Sequence, residues 1–142
     1  QHYHASGDIE AAAKAYKRAL ELNESNVAAL NNLAWMYYTT GDPEAEALAR
    51  KAYELQPNAS AVVDTLGWIL VEGKNWQEGL PLLEDAYRKA PANSTIGYHL
   101  AVARYQSGDR QGSKEVLDSI LARESAFDDR EEARALRGKM GN

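Results

Sequence analysis

Apolar residues recur along the chain at helical spacing, in blocks separated by short turns rich in glycine and aspartate or asparagine. Leu30, Leu33, Ala34 and Tyr37 fall at i, i+3, i+4 and i+7, which lines one face of a helix. That block ends at Gly41, where glycine can adopt the left-handed conformation that closes a helix. Asp42 can then accept from the first amides of the next helix, and Pro43 occupies a favoured first-turn position. Asn75 with Glu78 repeats the device as a capping box, and Asp109 stands at the equivalent point further on. The helices that follow these turns carry Ala12, Tyr16 and Ala19, then Ala45, Ala49 and Ala52, then Gly79, Leu83 and Ala86. Small residues at this spacing let two helices approach closely. Pro81 falls inside the third such helix and is expected to remove one backbone hydrogen bond and bend its first turns.

The blocks repeat. Asp8, Asp42, Asn75 and Asp109 follow at intervals of 34, 33 and 34, each within two residues of a glycine: Gly7, Gly41, Gly73 and Gly108. The same period relates Leu33, Leu66 and Leu100, as well as Ala19, Ala52 and Ala86, and Pro57 and Pro91 stand 34 apart. Four independent classes of position share one period, which predicts a repeated two-helix unit, helix A followed by helix B. The expected organisation is a single all-α solenoid domain over 1–142, with a partial unit at 1–25 and full units at 26–58, 59–92 and 93–125. A capping helix follows at 128–138, begun by an Asp128–Glu131 capping box, with Ala133 and Leu136 covering the last unit. The first unit begins mid-helix at Gln1, so the sequence reads as a fragment of a longer array.

Composition narrows the class. Hydrophobic residues make up 44% and charged residues 26%, a globular balance. The net charge of −5 repels phosphate backbones, which argues against nucleic acid as a partner. No apolar run approaches the roughly 20 residues of a membrane-spanning helix, and no signal peptide is evident at Gln1–His4. The absence of cysteine removes thiolate metal sites and cysteine nucleophiles while fitting either redox compartment.

The period and its residues resemble the tetratricopeptide repeat, whose signature runs W-x2-L-G-x2-Y, then A-x3-F, then P. The third unit matches as Val63-x2-Leu66-Gly67-x2-Leu70, Gly79-x3-Leu83, Ala86 and Pro91. The second matches as Leu30-x2-Leu33-Ala34-x2-Tyr37, Ala45-x3-Ala49, Ala52 and Pro57. The turn after Asp42 is one residue short, Glu24 replaces the expected proline of the first unit, and the fourth ends Ile120 to Ser125 without one. The resemblance implies a right-handed α-solenoid of about three and a half helix pairs plus a cap. It also implies a partner-binding scaffold rather than an enzyme. More locally, Val63-Asp64-Thr65-Leu66-Gly67-Trp68-Ile69-Leu70-Val71, Gly79–Leu83, Tyr98–Ala103 and Arg130–Leu136 resemble the C-terminal region of bacterial tetratricopeptide lipoproteins of the PEP-CTERM and exosortase system. That likeness, over residues 44 to 138, implies a periplasmic or envelope setting and a role in assembling an export or exopolysaccharide machine.

In such a stack the helix A residues not used in the core line the concave face. They are Ala28, Asn31, Trp35, Tyr38 and Thr39; then Ala61, Asp64, Trp68, Val71 and Glu72; then Thr95, Tyr98, Val102, Tyr105 and Gln106. Asn31, Trp35, Tyr38, Asp64, Trp68, Val71, Tyr98, Val102 and Tyr105 are therefore the candidate partner-binding groove. Trp35 and Trp68, 33 residues apart, should stand side by side with their N–H groups near Asn31 or Asp64, flanked by Tyr38, Tyr98 and Tyr105. The same indoles would equally fill the space between adjacent A helices. The lysine, asparagine and arginine clamp with which one subclass grips a peptide carboxylate is missing, since Asn31 and Asp64 stand where basic groups belong. A neutral, aromatic or mildly basic protein segment fits better. Stacking of sugar rings on the aromatics, and end-to-end association through the truncated first unit, are the alternatives.

No cofactor, metal or catalytic constellation is expected. His2 and His4, two apart, point to different sides of a helix with no third ligand nearby. His99 neighbours core Leu100 with no acid at a recognisable motif distance, and is assigned to inter-helix packing. Asp128, Asp129, Glu131 and Glu132 read as a solvated helix start. No phosphate-binding glycine loop occurs.

Overall fold

The computed structural model describes residues 6–123 and 127–141. Among these are eight α-helices and no strand: α1 (Ser6–Leu22), α2 (Val27–Thr40), α3 (Ala45–Leu55), α4 (Ser60–Glu72), α5 (Trp76–Lys89), α6 (Ser94–Gln106), α7 (Arg110–Leu121) and α8 (Arg130–Lys139). The tightest pairs are α2 with α3, α4 with α5, and α6 with α7. These are the A and B helices of successive units. Each B helix also packs on the next A helix, and α2, α4 and α6 touch in a row, so the A helices share one face. Helix α8 closes the stack against α7. The architecture is the expected helical solenoid with a C-terminal capping helix.

One turn geometry joins A to B three times. Gly41 N–H donates to the Tyr38 carbonyl and Asp42 N–H to that of Tyr37, the paired bonds that close a helix through a left-handed residue. Lys74 and Asn75 repeat the pattern onto Val71 and Leu70, and Gly108 and Asp109 onto Tyr105 and Arg104. The left-handed positions are Gly41 (φ 81°), Lys74 (φ 69°) and Gly108 (φ 101°). In the middle turn that strained conformation therefore falls on Lys74, not on Gly73, whose φ is −86°. In the second and third turns the next residue then caps the B helix, whereas α3 has Glu44 at its N-cap position with no side-chain capping bond, and Asp42 bonds only within the turn before it. Asp42 Oδ1 accepts from Glu44 N–H at 2.9 Å, Asn75 Oδ1 from Glu78 N–H at 3.3 Å, and Asp109 Oδ1 from Gly112 N–H at 2.8 Å.

Three local expectations are corrected. The capping box at Asn75 is half-formed: Asn75 N–H is used by Leu70, while the Glu78 carboxylate takes a forked pair of bonds from Arg50 of α3 at 2.7 and 2.9 Å. Those bonds hold the Glu78 carboxyl below its usual range. At the last helix the N-cap position falls on Asp129, one residue after Asp128. The first turn expected at Gly7–Asp8 is already inside α1. Pro81 lies inside α5, as expected, and the helix runs from Trp76 to Lys89. Its ring removes the N–H that would serve Gln77, and because Gln77 and Pro81 are both exposed, water can satisfy that carbonyl. The readings placed on Gln1, His2, His4 and Ser125 lie outside the described residues.

The core follows the repeat. Leu30, Leu66, Leu83, Leu100 and Leu117 are fully buried, each side chain stabilising the fold by about 1.5–3 kcal/mol. Ala49, Ala52 and Ala86 are also fully buried, as their size at the A–B crossing requires. Glycine is needed where α5 crosses α4: a Cβ on Gly79 of α5 would meet the Gly67 carbonyl of α4 at 2.9 Å and Val71 Cγ2 at 2.8 Å.

Candidate functional site: an aromatic face on the A helices

The row α2, α4, α6 brings Trp35, Tyr38, Trp68, Tyr98 and Tyr105 into one packed cluster, but not as the plain strip of indoles that repeat spacing suggests. A histidine lies between the tryptophans. The His99 ring stacks on Trp68 with centroids 4.2 Å apart and planes 19° apart, and packs tilted against Trp35 at 5.9 Å. Its Nδ1 stands 2.9 and 3.0 Å from the two carboxylate oxygens of Asp64. Both residues are buried, His99 4% exposed and Asp64 8%. The acid absent from His99's sequence neighbourhood thus comes from the preceding A helix, 35 positions away. Packing was the expected role of His99, and with one ring face covered by an indole that role stands; the partner was missed.

Asp64 is consequently not a groove-facing polar group but half of an internal pair. Val71 is fully buried, and Trp68 and Val102 are each only 9% exposed, so these three belong mainly to the core beneath the face. The surface itself is left to partly buried Asn31, Trp35, Tyr38, Tyr98 and Tyr105. Asn31 keeps a buried Oδ1 with no hydrogen-bond partner.

The Trp68 N–H also departs from expectation. It donates to neither Asn31 nor Asp64 but to the Tyr38 hydroxyl at 3.1 Å, which in turn donates to Glu72 Oε1 at 3.1 Å. Tyr38 thereby ties α2 to α4 at two points. Burial, followed by the charge of Glu72, pushes the Tyr38 hydroxyl up to about 12. Burial likewise raises Tyr98 to about 12, with the charges of Asp129, Glu132 and Glu72 adding to it. Asp129, at the N-cap position of α8, and Glu132 within that helix thus act on the Tyr98 hydroxyl through their charge. Tyr105, at the other margin, carries the Arg110 guanidinium 5.5 Å over its ring.

These shifts have a measurable consequence. The neutral phenols are favoured in the folded state, so their contribution to stability is complete below the ordinary tyrosine value of 10 and is lost as pH rises toward about 12. An ultraviolet phenolate titration should show two late-ionising groups. In Glu72→Gln, which removes both a repelling charge and the charged acceptor, Tyr38 should ionise earlier. An unchanged titration would contradict the Tyr38–Glu72 contact.

What sequence reasoning missed are the pairing of His99 with Asp64, the bond from Tyr38 to Glu72, and the influence of Asp129 and Glu132 on Tyr98. A signal for His99 did exist. In a stack with a period of 33 to 34 residues, positions one period apart lie side by side, and Asp64 and His99 differ by 35.

An all-helical array of this kind, with its A helices forming one aromatic face, is a helical-repeat scaffold. Two family models match the chain, one described as "TPR repeat" over residues 1–41 and one as "Tetratricopeptide repeat" over residues 70–140. The second spans half of the chain, and the chain belongs to the tetratricopeptide repeat family. Members of this family serve generally as protein-interaction scaffolds. No curated protein matches the chain in sequence.

Solved structures share the fold. A crystal structure of MamA is 21% identical with a TM-score of 0.73, over 97% of this chain and 90% of its own. YrrB, described as a TPR protein with an unusual peptide-binding site, is 18% identical with a TM-score of 0.72, over 94% and 68%. A mutant O-GlcNAc transferase from Thermobaculum terrenum is 26% identical with a TM-score of 0.75 over 81% of this chain, but the chain spans only 23% of that enzyme.

Proposed function

We propose that this protein holds an extended or helical segment of a partner protein along its A-helix face, with Trp35, Tyr38 and Tyr98 as the principal contacts. The observation that carries this reading is the combination of half-buried aromatic side chains with a rigid support. Trp68, His99 and Asp64 are locked beneath the surface, so Trp35 and Tyr98 are held in place before a ligand arrives. Binding to preordered aromatics loses little side-chain entropy, and such residues commonly contribute about 2 kcal/mol or more each at an interface. The peptide-binding site named for YrrB, which shares the fold, supports a peptide as the ligand class. Because one face of Trp68 is covered by His99, the flat indole surface that a sugar ring would need is reduced, and a protein segment fits better than a glycan.

A random-peptide library displayed on phage and selected on the immobilised protein tests the reading. Enriched peptides should bind Trp35→Ala/Tyr98→Ala at least about tenfold more weakly while circular dichroism shows the helices intact. Peptides indifferent to that double substitution would refute the face as the binding site. The likeness of residues 44 to 138 to the PEP-CTERM and exosortase lipoproteins supports a place among the assembly factors of a bacterial envelope export or exopolysaccharide system. Fractionation of the source cells tests it, with cytosolic recovery the contrary result.

A further inference from the structure

Beneath the aromatic side chains of the A-helix face, several polar atoms are already paired within the protein. The Trp68 N–H donates to the Tyr38 hydroxyl, and that hydroxyl donates to Glu72. Arg104 turns away to α5 and α7, where it meets Glu84 and the Gly112 carbonyl. His99 is used only in part. Its Nδ1 faces both oxygens of Asp64, while Nε2, on the far side of the ring, has no hydrogen-bond partner among the described residues. The enclosed side-chain atoms left unpaired among those residues are Asn31 Oδ1 and Arg104 Nε, so His99 Nε2 reaches the surface. With the residue only 4% exposed, it does so through a narrow opening. Trp68 covers one face of the ring at 4.2 Å, and partly buried Trp35 and Tyr98 flank it at 5.9 and 6.2 Å. That sets the opening among the aromatic side chains of the A-helix face.

We propose that His99 Nε2 accepts a hydrogen bond from a neutral side-chain donor of the partner segment, a hydroxyl or a carboxamide, that enters between Trp35 and Tyr98. The proposal rests on the reading of this face as a peptide-binding surface and names what the segment must carry. A carboxylate only accepts, so the hydrogen between Asp64 and His99 sits on Nδ1, and the neutral imidazole keeps Nε2 as its acceptor. Asp64 is thereby a positioning residue: it fixes the tautomer and the ring orientation without touching the partner. Covering Nε2 with an apolar group would strip it of water and give it nothing in return. A neutral donor pairs with it, whereas an ammonium or guanidinium would have to shed its hydration shell in the same narrow space. One hydrogen bond inside a largely aromatic contact discriminates strongly against segments that lack the donor.

Peptides selected from the displayed library provide the test. They should share a serine, threonine, asparagine or glutamine at one position beside their apolar residues. Replacing that residue by its apolar counterpart, such as valine for threonine or leucine for asparagine, should weaken binding about tenfold. His99→Asn keeps an N–H for Asp64 but has no atom in the place of Nε2. In this variant the same peptide replacement should change affinity less than about twofold, a coupling that a merely structural role of His99 would not produce. Nitrogen NMR of the imidazole in the unaltered protein gives a second readout, which stands even where His99→Asn fails to fold. Nε2 should carry no hydrogen, and its signal should move further with the donor peptide than with the apolar one. A hydrogen on Nε2 in the complex, or equal movement with both peptides, would overturn the proposal. Peptides with no shared neutral donor that still require Trp35 and Tyr98 would overturn it as well, and leave the peptide-binding face standing. Peptides indifferent to Trp35 and Tyr98, or no enrichment at all, would overturn both readings.

Discussion

His99→Ala should lower the unfolding free energy by about 3–5 kcal/mol, the loss characteristic of a buried pair deprived of one partner. Two costs combine. The ring stacked on Trp68 leaves a cavity next to fully buried Leu100, and Asp64, only 8% exposed, loses the donor that both its oxygens face. Asp64→Asn keeps an oxygen able to accept from Nδ1–H and should cost about 1 kcal/mol. Urea unfolding of His99→Ala, Asp64→Ala and the double variant separates the contributions, because residues in direct contact depart from additivity. The double variant His99→Ala/Asp64→Ala should be less damaged than the sum. Full additivity would mean that the pair does not act as a unit, and the rigid support inferred for the aromatic face would go with it.

A second large effect is expected at the α4–α5 crossing. Gly79→Val should destabilise by about 3 kcal/mol, since its first carbon would meet a backbone carbonyl at 2.9 Å and Val71 Cγ2 at 2.8 Å. Neither neighbour is the free end of a flexible chain. Gly138 in α8 has open space around the same position, and Gly138→Ala should instead gain up to about 1 kcal/mol from helix propensity. Opposite signs at two helical glycines would show that packing, not backbone preference, decides the first. A harmless Gly79→Val would mean that the two helices are further apart than described.

The fold was legible because its unit is used repeatedly. A period of 33 to 34 shared by Gly41, Leu33, Ala52 and Pro57 classes constrains each helix several times over, and a local misreading such as the turn at Gly7–Asp8 cannot shift the rest. Turn chemistry was legible to within a residue. It failed at Gly73, where the left-handed position passed to Lys74, because glycine permits positive φ but does not compel it.

The face was only partly legible for a related reason. Repeat spacing places residues on a side of a helix, but burial depends on what the neighbouring helix supplies. Asp64 looked like a polar groove residue until α6 offered His99, and Val71 until α5 closed over it. Asp129 and Glu132 read in the sequence as part of a solvated helix start, because nothing there ties residues after 128 to Tyr98. That proximity arises only from packing of Ala133 and Leu136 onto the last unit.

Partners should meet the row of A helices rather than the outer B helices. A selected peptide carrying a nitroxide label, added to the nitrogen-15-labelled protein, tests this most directly. Broadening should concentrate on the Trp35 indole and the amides around Tyr38 and Tyr98, sparing α3 and α5 near Lys51 and Arg88. Broadening centred on Lys51 and Arg88, with Trp35 sharp, would contradict it.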